Sequence, residues 1–140
     1  MLDIRRATKA DWERIESFYR QRNYNGIKPQ DTIFIVQVNN RLVGAVRICL
    51  EENVLVLRGM QIFPAFQRQG IGTKLLQMCD RYLNRQTCYC LPFSHLEQFY
   101  KQIGFEKVNL ADVPSFLRAR HNKYLGRGLD VIAMSRSLEG

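Results

Sequence analysis

The sequence predicts a mixed α/β domain built around one largely antiparallel sheet, and three observations predict it. Apolar residues alternate between a period of two and a helical period, which gives the order β-α-β-β-β-α-β-α-β-β. Two short turns, Asn39-Asn40 and Glu51-Glu52-Asn53, join three branched runs into an antiparallel meander. A glycine-bearing turn, Gln67-Arg68-Gln69-Gly70-Ile71-Gly72, then hands the last of those strands to a helix.

The elements follow in order. Leu2 to Ala7 reads as a first strand. Thr8 and Asp11 fit a capping box that opens a helix with Trp12, Ile15, Phe18 and Tyr19 on one apolar face. That helix runs out near Arg22, and Asn23-Tyr24-Asn25-Gly26-Ile27-Lys28-Pro29 has the composition of a loop. Thr32 to Val38 is rich in branched residues, Arg41 to Leu50 is its hairpin partner, and a further strand ends near Ile62. After the glycine turn, Thr73 to Leu83 follows a helical period, and Thr87 to Leu91 is a short strand stopped by Pro92. Ser94 and Glu97 suggest a second capping box, opening a helix with Leu96, Phe99, Tyr100 and Ile103 on one face. Gly104 supplies its left-handed stop. Phe105 to Leu110 and Leu129 to Leu138 read as strands, separated by a polar, basic and partly helical segment, residues 112–128.

At 140 residues and 46% apolar content, the chain suits one domain with a real core. No apolar run approaches the roughly 18 residues of a membrane span. The N-terminus, Met1 to Arg6, lacks the apolar stretch of a secretory leader, so a cytoplasmic protein without a membrane partner is expected. Cysteines 49, 79, 88 and 90 do not follow zinc-site spacing, only two histidines are present, and no metal site is expected. Buried free thiols are expected instead. The formal charge is +8, and 15 of the 21 basic residues are arginine. They are scattered from Arg5 to Arg136, without a dense run or interleaved aromatics, which disfavours a nucleic-acid partner.

The glycine turn carries the chemistry. A helix start leaves several N–H groups without a carbonyl of their own helix, and the helix dipole adds positive potential there. Gly70 and Gly72 let backbone approach an oxyanion closely, so a phosphate or pyrophosphate fits the turn. The preceding meander excludes a Rossmann unit, and the absence of Gly-Lys-Ser/Thr excludes a Walker loop. An ordinary loop-to-helix connection is the competing reading of these glycines.

Here the residues resemble the GNAT superfamily of N-acetyltransferases. Gln67-Arg68-Gln69-Gly70-Ile71-Gly72 matches the family's Gln/Arg-x-x-Gly-x-Gly/Ala signature, after a strand ending Met60-x-Ile62-x-Pro64. Phe99-Tyr100-x-x-x-Gly104-Phe105 is similar to its Leu-Tyr-x-x-x-Gly-Phe element. The resemblance spans Leu2 to Leu138 and implies a single N-acetyltransferase domain over residues 1–140. It implies a GNAT-like acyl-CoA N-acyltransferase fold, with a sheet splayed between its fourth and fifth strands and flanked by helices. It also implies acetyl-CoA as cosubstrate. Backbone groups around Ile62 and Phe63 would pair with pantetheine amides, and N–H groups from Gln67, Arg68, Gln69, Gly70, Ile71, Gly72 and Thr73 would hold the pyrophosphate. Arg68 and Lys74 add positive charge nearby.

The same resemblance points Tyr100 toward the coenzyme sulfur as general acid. A phenol with a reference pKa of about 10 is protonated at neutral pH and can do this. Position 100 also fits the apolar stripe of its helix, so a core tyrosine is the competing reading. A backbone N–H near Ile62 would polarise the thioester carbonyl. The departure from the family is the general base: the fourth strand carries Arg58 as its only charged residue, Glu51 and Glu52 precede it, and His95 lies at a helix start. Residues 23–31 and 112–128 would build the acceptor site, the second offering Arg118, Arg120, His121, Lys123, Tyr124 and Arg127. The expected partners are acetyl-CoA and an amine acceptor that the sequence does not identify; the oligomeric state is left open, a homodimer included. An acyl-CoA-binding module without efficient catalysis is the alternative function, and a basic nucleic-acid-binding domain a more distant one.

Overall fold

The computed structural model describes residues 1–24 and 26–137. Asn25, expected in the loop after the first helix, and Leu138, expected to end the last strand, lie outside the described residues. The chain divides into two compact units, Met1–Tyr82 and the part from Leu83 onward. Both mix strands and helices, as the sequence predicts.

The first unit holds β1 (Leu2–Arg6), α1 (Trp12–Gln21), β2 (Thr32–Val38), β3 (Arg41–Glu51), β4 (Val54–Ile62) and nearly all of α2 (Ile71–Leu83). Strands β1 to β4 form an antiparallel sheet in chain order. Each of its two tight turns places two residues at positive φ, Asn39 and Asn40 in one, Glu52 and Asn53 in the other. That is the twist-matching geometry of a two-residue hairpin, and asparagine tolerates it best among side-chain-bearing residues. The sheet residues Ile33, Ile35, Leu42 and Ala45 pack with Ile15, Phe18 and Tyr19 of α1 in one cluster.

The N-terminus of α1 is tied by one carboxylate. Asp11 accepts the Thr8 N–H at 2.7 Å, as the capping-box reading requires, and a short 3₁₀ turn over Lys9–Asp11 precedes the helix. Arg5 donates to both Asp11 oxygens at 2.8 Å, and Arg14 adds a third charged contact at 2.8 Å. The hydrogen bonds from Arg5, then those from Thr8 and Arg14, hold this carboxyl well below the usual range despite its burial.

The second unit holds β5 (Cys88–Cys90), α3 (Glu97–Lys101), β6 (Glu106–Lys107), α4 (Ser115–Gly126) and β7 (Met134–Arg136). Strand β7 pairs antiparallel with both β5 and β6. Three expectations are corrected here. The strand expected over Leu129–Leu138 is a ladder only at Met134–Arg136, although Val131 bridges Phe93 in the same register. Between them Ile132 donates to the Pro92 carbonyl at 2.9 Å, but Pro92 has no N–H to return the bond, and the ladder lapses there. The strand expected over Phe105–Leu110 shortens to Glu106–Lys107, with Val108 adding one bond to Ala133. The capping box expected from Ser94 and Glu97 is not formed. The Ser94 N–H and hydroxyl both go to Asp130, while Glu97 pairs with Lys101 at 3.4 Å. A 3₁₀ turn over Ser94–Leu96 therefore opens α3, which is a single five-residue turn. Gly104, at φ +93°, stops the chain in the left-handed conformation as expected.

All four cysteines are buried free thiols. Burial pushes the Cys49 thiol up to about 12 and the Cys90 thiol well above its ordinary value, so both behave as apolar core residues. No helix among the described residues is long and apolar enough to cross a membrane.

Asp11→Asn is expected to lower stability by about 1–2 kcal/mol at neutral pH, the scale of a lost cap. Because folding depresses the Asp11 pKa, its contribution is present above the ordinary carboxylate value and lost below it. The gap between wild type and Asp11→Asn in urea unfolding should therefore narrow from about pH 5 toward about pH 2. A gap independent of pH would contradict the assignment.

Candidate active site

The site begins with an irregularity in β4. Arg47 of β3 faces Arg58, but Ala45, two residues earlier, faces Gln61, three residues later. β4 thus carries one extra residue, a bulge, with Gly59 at φ +66°. Side chains alternate along a strand, so one extra residue reverses which face each later side chain occupies. The reversal delivers Phe63 to the α1 face, where its ring packs on Phe18 at 4.8 Å. It also gives the Phe63 N–H to the Val43 carbonyl at 2.9 Å. Along an antiparallel ladder successive residues point their polar groups to opposite edges, so Ile62 turns its N–H and carbonyl away from β3.

Two site residues expected to act together therefore differ. Ile62 presents its backbone on the edge away from β3, and its carbonyl accepts Gln67 Nε2 at 2.9 Å. The Phe63 N–H is committed to Val43, and its carbonyl accepts the Phe66 N–H at 2.8 Å. Its backbone serves the fold, and its ring lines a groove of about 400 Å3 floored with Phe18 and Leu42 and rimmed by Glu13 and Arg41.

Beyond Phe63 a 3₁₀ turn over Pro64–Phe66 leads into the glycine turn. Gln67, Arg68, Gln69 and Gly70 are all exposed, and buried Ile71 anchors the start of α2 two residues earlier than the sequence pattern places it. Two of the exposed residues are left-handed, Arg68 at φ +63° and Gly70 at φ +79°. A left-handed arginine is uncommon and costs energy, and such strain gathers at sites where backbone is aimed. A Cβ at Gly70 would meet nothing within 4 Å, so conformation, not crowding, calls for glycine there. Lys74 closes the first α2 hydrogen bond to the Gly70 carbonyl at 3.2 Å, and the N–H groups of Ile71 and Gly72 lie ahead of it in the first turn.

Under α1 lies a network that the sequence reading missed. Arg47, 2% exposed, donates to Asp31 at 2.8 Å, to the Gly26 carbonyl at 3.0 Å and to the Tyr24 hydroxyl at 3.0 Å. Its guanidinium lies 5.0 Å over the Tyr24 ring. The Tyr19 hydroxyl donates to the Gly59 carbonyl at 2.8 Å, inside the bulge. The signal was present: Arg47 is the lone charge within the apolar run Leu42–Leu50, a position that demands a buried acid.

The other expected residues lie in the second unit. Tyr100 is 5% exposed, its ring set edge-on to Phe99 at 5.0 Å and Phe105 at 6.1 Å. His95 is exposed and stacked on Phe93. On α4, Arg118 donates to the Val113 carbonyl at 2.7 Å and buried His121 contacts the Val131 carbonyl at 2.9 Å, so these two serve the fold. Lys123 and Arg127 are exposed. Arg58 pairs with Glu51 at 3.6 Å. Among the described residues no group of three or more His, Cys, Asp or Glu side chains could hold a metal.

The model of the acetyltransferase (GNAT) domain matches residues 29–107, more than half of the chain. The chain belongs to the GNAT acetyltransferases. No curated protein sequence matches it, and its resemblance to solved GNAT structures is one of fold. It is similar to the ribosomal-protein-S18-alanine N-acetyltransferase of Escherichia coli, with a TM-score of 0.71 and 14% identity over 100% of this chain and 96% of that one. It is similar to the PaiA N-acetyltransferase of Thermoplasma acidophilum, solved with coenzyme A, at TM-score 0.63 and 13% identity over 98% and 99% of the two chains. N-acetylglutamate synthase of Neisseria gonorrhoeae, solved with coenzyme A and N-acetyl-glutamate, matches at TM-score 0.68 and 17% identity. This GNAT chain is covered completely in that match and spans 36% of the synthase.

Replacing glycine by alanine separates the two left-handed positions. Both lose about 1–2 kcal/mol to the αL backbone. At Gly59 the new Cβ would also sit 3.1 Å from the Tyr19 hydroxyl and 3.4 Å from Arg47 Nε. Gly59→Ala should therefore lower the urea midpoint clearly more than Gly70→Ala; equal losses would contradict the packing described for the bulge.

Proposed function

We propose that this GNAT chain transfers an acetyl group from acetyl-CoA to a primary amine by direct attack. The observation that carries the proposal is the passage from β4 to α2. Ile62 turns its polar backbone away from β3, and the exposed turn that follows aims its backbone through two left-handed residues into a helix start. A pyrophosphate suits that turn, because first-turn N–H groups and the helix dipole both favour an anion. Arg68 and Lys74, both exposed, add charge beside it. Coenzyme A in two of the structural neighbours supports the same ligand. Those neighbours differ in acceptor by their names, so the fold leaves the acceptor open.

In this reading Gln67, Arg68, Gln69, Gly70, Ile71, Gly72 and Thr73 hold the pyrophosphate, and Ile62 presents its N–H to the pantetheine or the reacting carbonyl. The thioester supplies the activated acetyl group. The amine nitrogen bonds to the carbonyl carbon, the carbon–sulfur bond breaks, and the Tyr100 phenol gives its proton to the departing thiolate. The proton leaving the amine passes to water, because β4 bears no carboxylate. The described residues between α1 and β2 supply part of the acceptor wall. A cytoplasmic location belongs to the proposal, and four free thiols suit a reducing compartment.

Arg58, the one charged side chain of β4, favours a second reading, an acyl-CoA-binding module that lacks efficient chemistry. Thiol release from acetyl-CoA across polyamines, amino acids, aminoglycosides and lysine peptides decides between them. The enzyme reading expects release with at least one amine, and Tyr100→Phe lowering that turnover by about 10²-fold with acetyl-CoA binding unchanged. Unchanged turnover would remove Tyr100 as the acid. Retained binding without release from any amine would favour the module.

A further inference from the structure

The segment between α1 and β2 has almost no regular structure, yet it is held by one buried ion pair. Between Gln21 and Thr32 the described residues form no strand or helix. The segment's anchors converge on Arg47, whose pair with Asp31 is 2% and 3% exposed. Asp31 in turn accepts the Lys28 N–H at 2.8 Å, while Arg47 reaches the Gly26 carbonyl and the Tyr24 hydroxyl. One guanidinium therefore fixes the segment at its start, middle and end.

Burying two charges is a poor way to gain stability, since a well-packed apolar pair in the same space is often as stable or more so. What an ion pair in this setting supplies is one fixed arrangement, because a displaced arginine would lie uncompensated among Tyr19, Tyr24 and Cys49. Among the described residues Arg47 Nε has no hydrogen-bond partner, while its two terminal nitrogens carry the contacts to the segment. Beside it opens a recess of about 80 Å3 lined by Glu16, Tyr19, Arg20, Tyr24, Gly26 and Ile27. Three of those residues belong to the segment and one, Tyr19, is bonded to the β4 bulge. Tyr24, Gly26 and Ile27 form one side of the recess, so its shape depends on where the segment is held.

We propose that Arg47, through Asp31, is a positioning residue that keeps Tyr24 and residues 26–31 in place and so preforms the recess as part of the acceptor wall. The acceptor role rests on the acetyltransferase reading, whereas the positioning role does not. The bonds of Arg47 and Asp31 go to Tyr24, Gly26 and Lys28 and not to the glycine turn, so acetyl-CoA binding is expected to withstand their replacement.

The test uses the double variant Arg47→Met/Asp31→Leu, which removes both charges and leaves neither one stranded, with Arg47→Lys as the conservative control. Hydrogen exchange of the amides of residues 26–31 should accelerate at least tenfold in the double variant, with β2 and β3 amides unchanged. With an amine that is acetylated by the wild type, the acceptor KM should rise about tenfold, and kcat and the acetyl-CoA KM should stay within twofold. Arg47→Lys should restore part of the exchange protection. Unchanged protection in the double variant overturns the positioning role. Faster exchange with an unchanged acceptor KM overturns the acceptor wall. If the wild type acetylates no amine, the acetyltransferase reading fails and the exchange result alone decides for or against positioning.

Discussion

A single extra residue in β4 governs the arrangement of the first unit. Without the bulge at Gly59, the strict alternation of a strand would send Phe63 to the face it now avoids and turn Ile62 toward β3. With it, Phe63 closes the aromatic end of the α1 core, and Ile62 leaves its N–H and carbonyl on the opposite edge. The positive φ of Gly59 and the narrow space under Tyr19 and Arg47 make glycine the residue that permits this. The strand then ends in a turn whose left-handed Arg68 and Gly70 carry the chain into α2. The packing of Phe63 and the outward turn of the Ile62 backbone are two consequences of one register shift.

Much of this was legible in the sequence. β2, β3 and β4 were read nearly to the residue, because branched runs separated by Asn39-Asn40 and Glu52-Asn53 leave little choice of turn. The family signature placed the glycine turn at the end of β4. The second unit was harder to read. Leu129–Leu138 has strand composition, but pairing needs a partner with a free N–H at each step, and Pro92, opposite Ile132, denies one. Ser94 and Glu97 have capping-box spacing, yet Asp130, distant in sequence, takes the serine. Local pattern gives no view of such a competitor.

The network around Arg47 shows the same limit from the other side. A lone arginine in an apolar strand signals a buried partner, but the sequence does not say which acid answers it. Only the folded chain brings Asp31, sixteen residues earlier, to 2.8 Å. The basic residues of 112–128 illustrate the reverse case. Arg118 and His121, which looked available to an anion, satisfy backbone carbonyls within their own unit.

The central claim is that the edge at Ile62 and the turn from Gln67 to Thr73 together form the coenzyme site. Titration of isotope-labelled protein with coenzyme A, followed through backbone amide resonances, tests it most directly. The account predicts saturable shifts concentrated at Ile62, Gly70, Ile71 and Gly72, with the Phe63 amide, bonded to Val43, protected from exchange throughout. Saturable shifts that leave Gly70 to Gly72 untouched would contradict it.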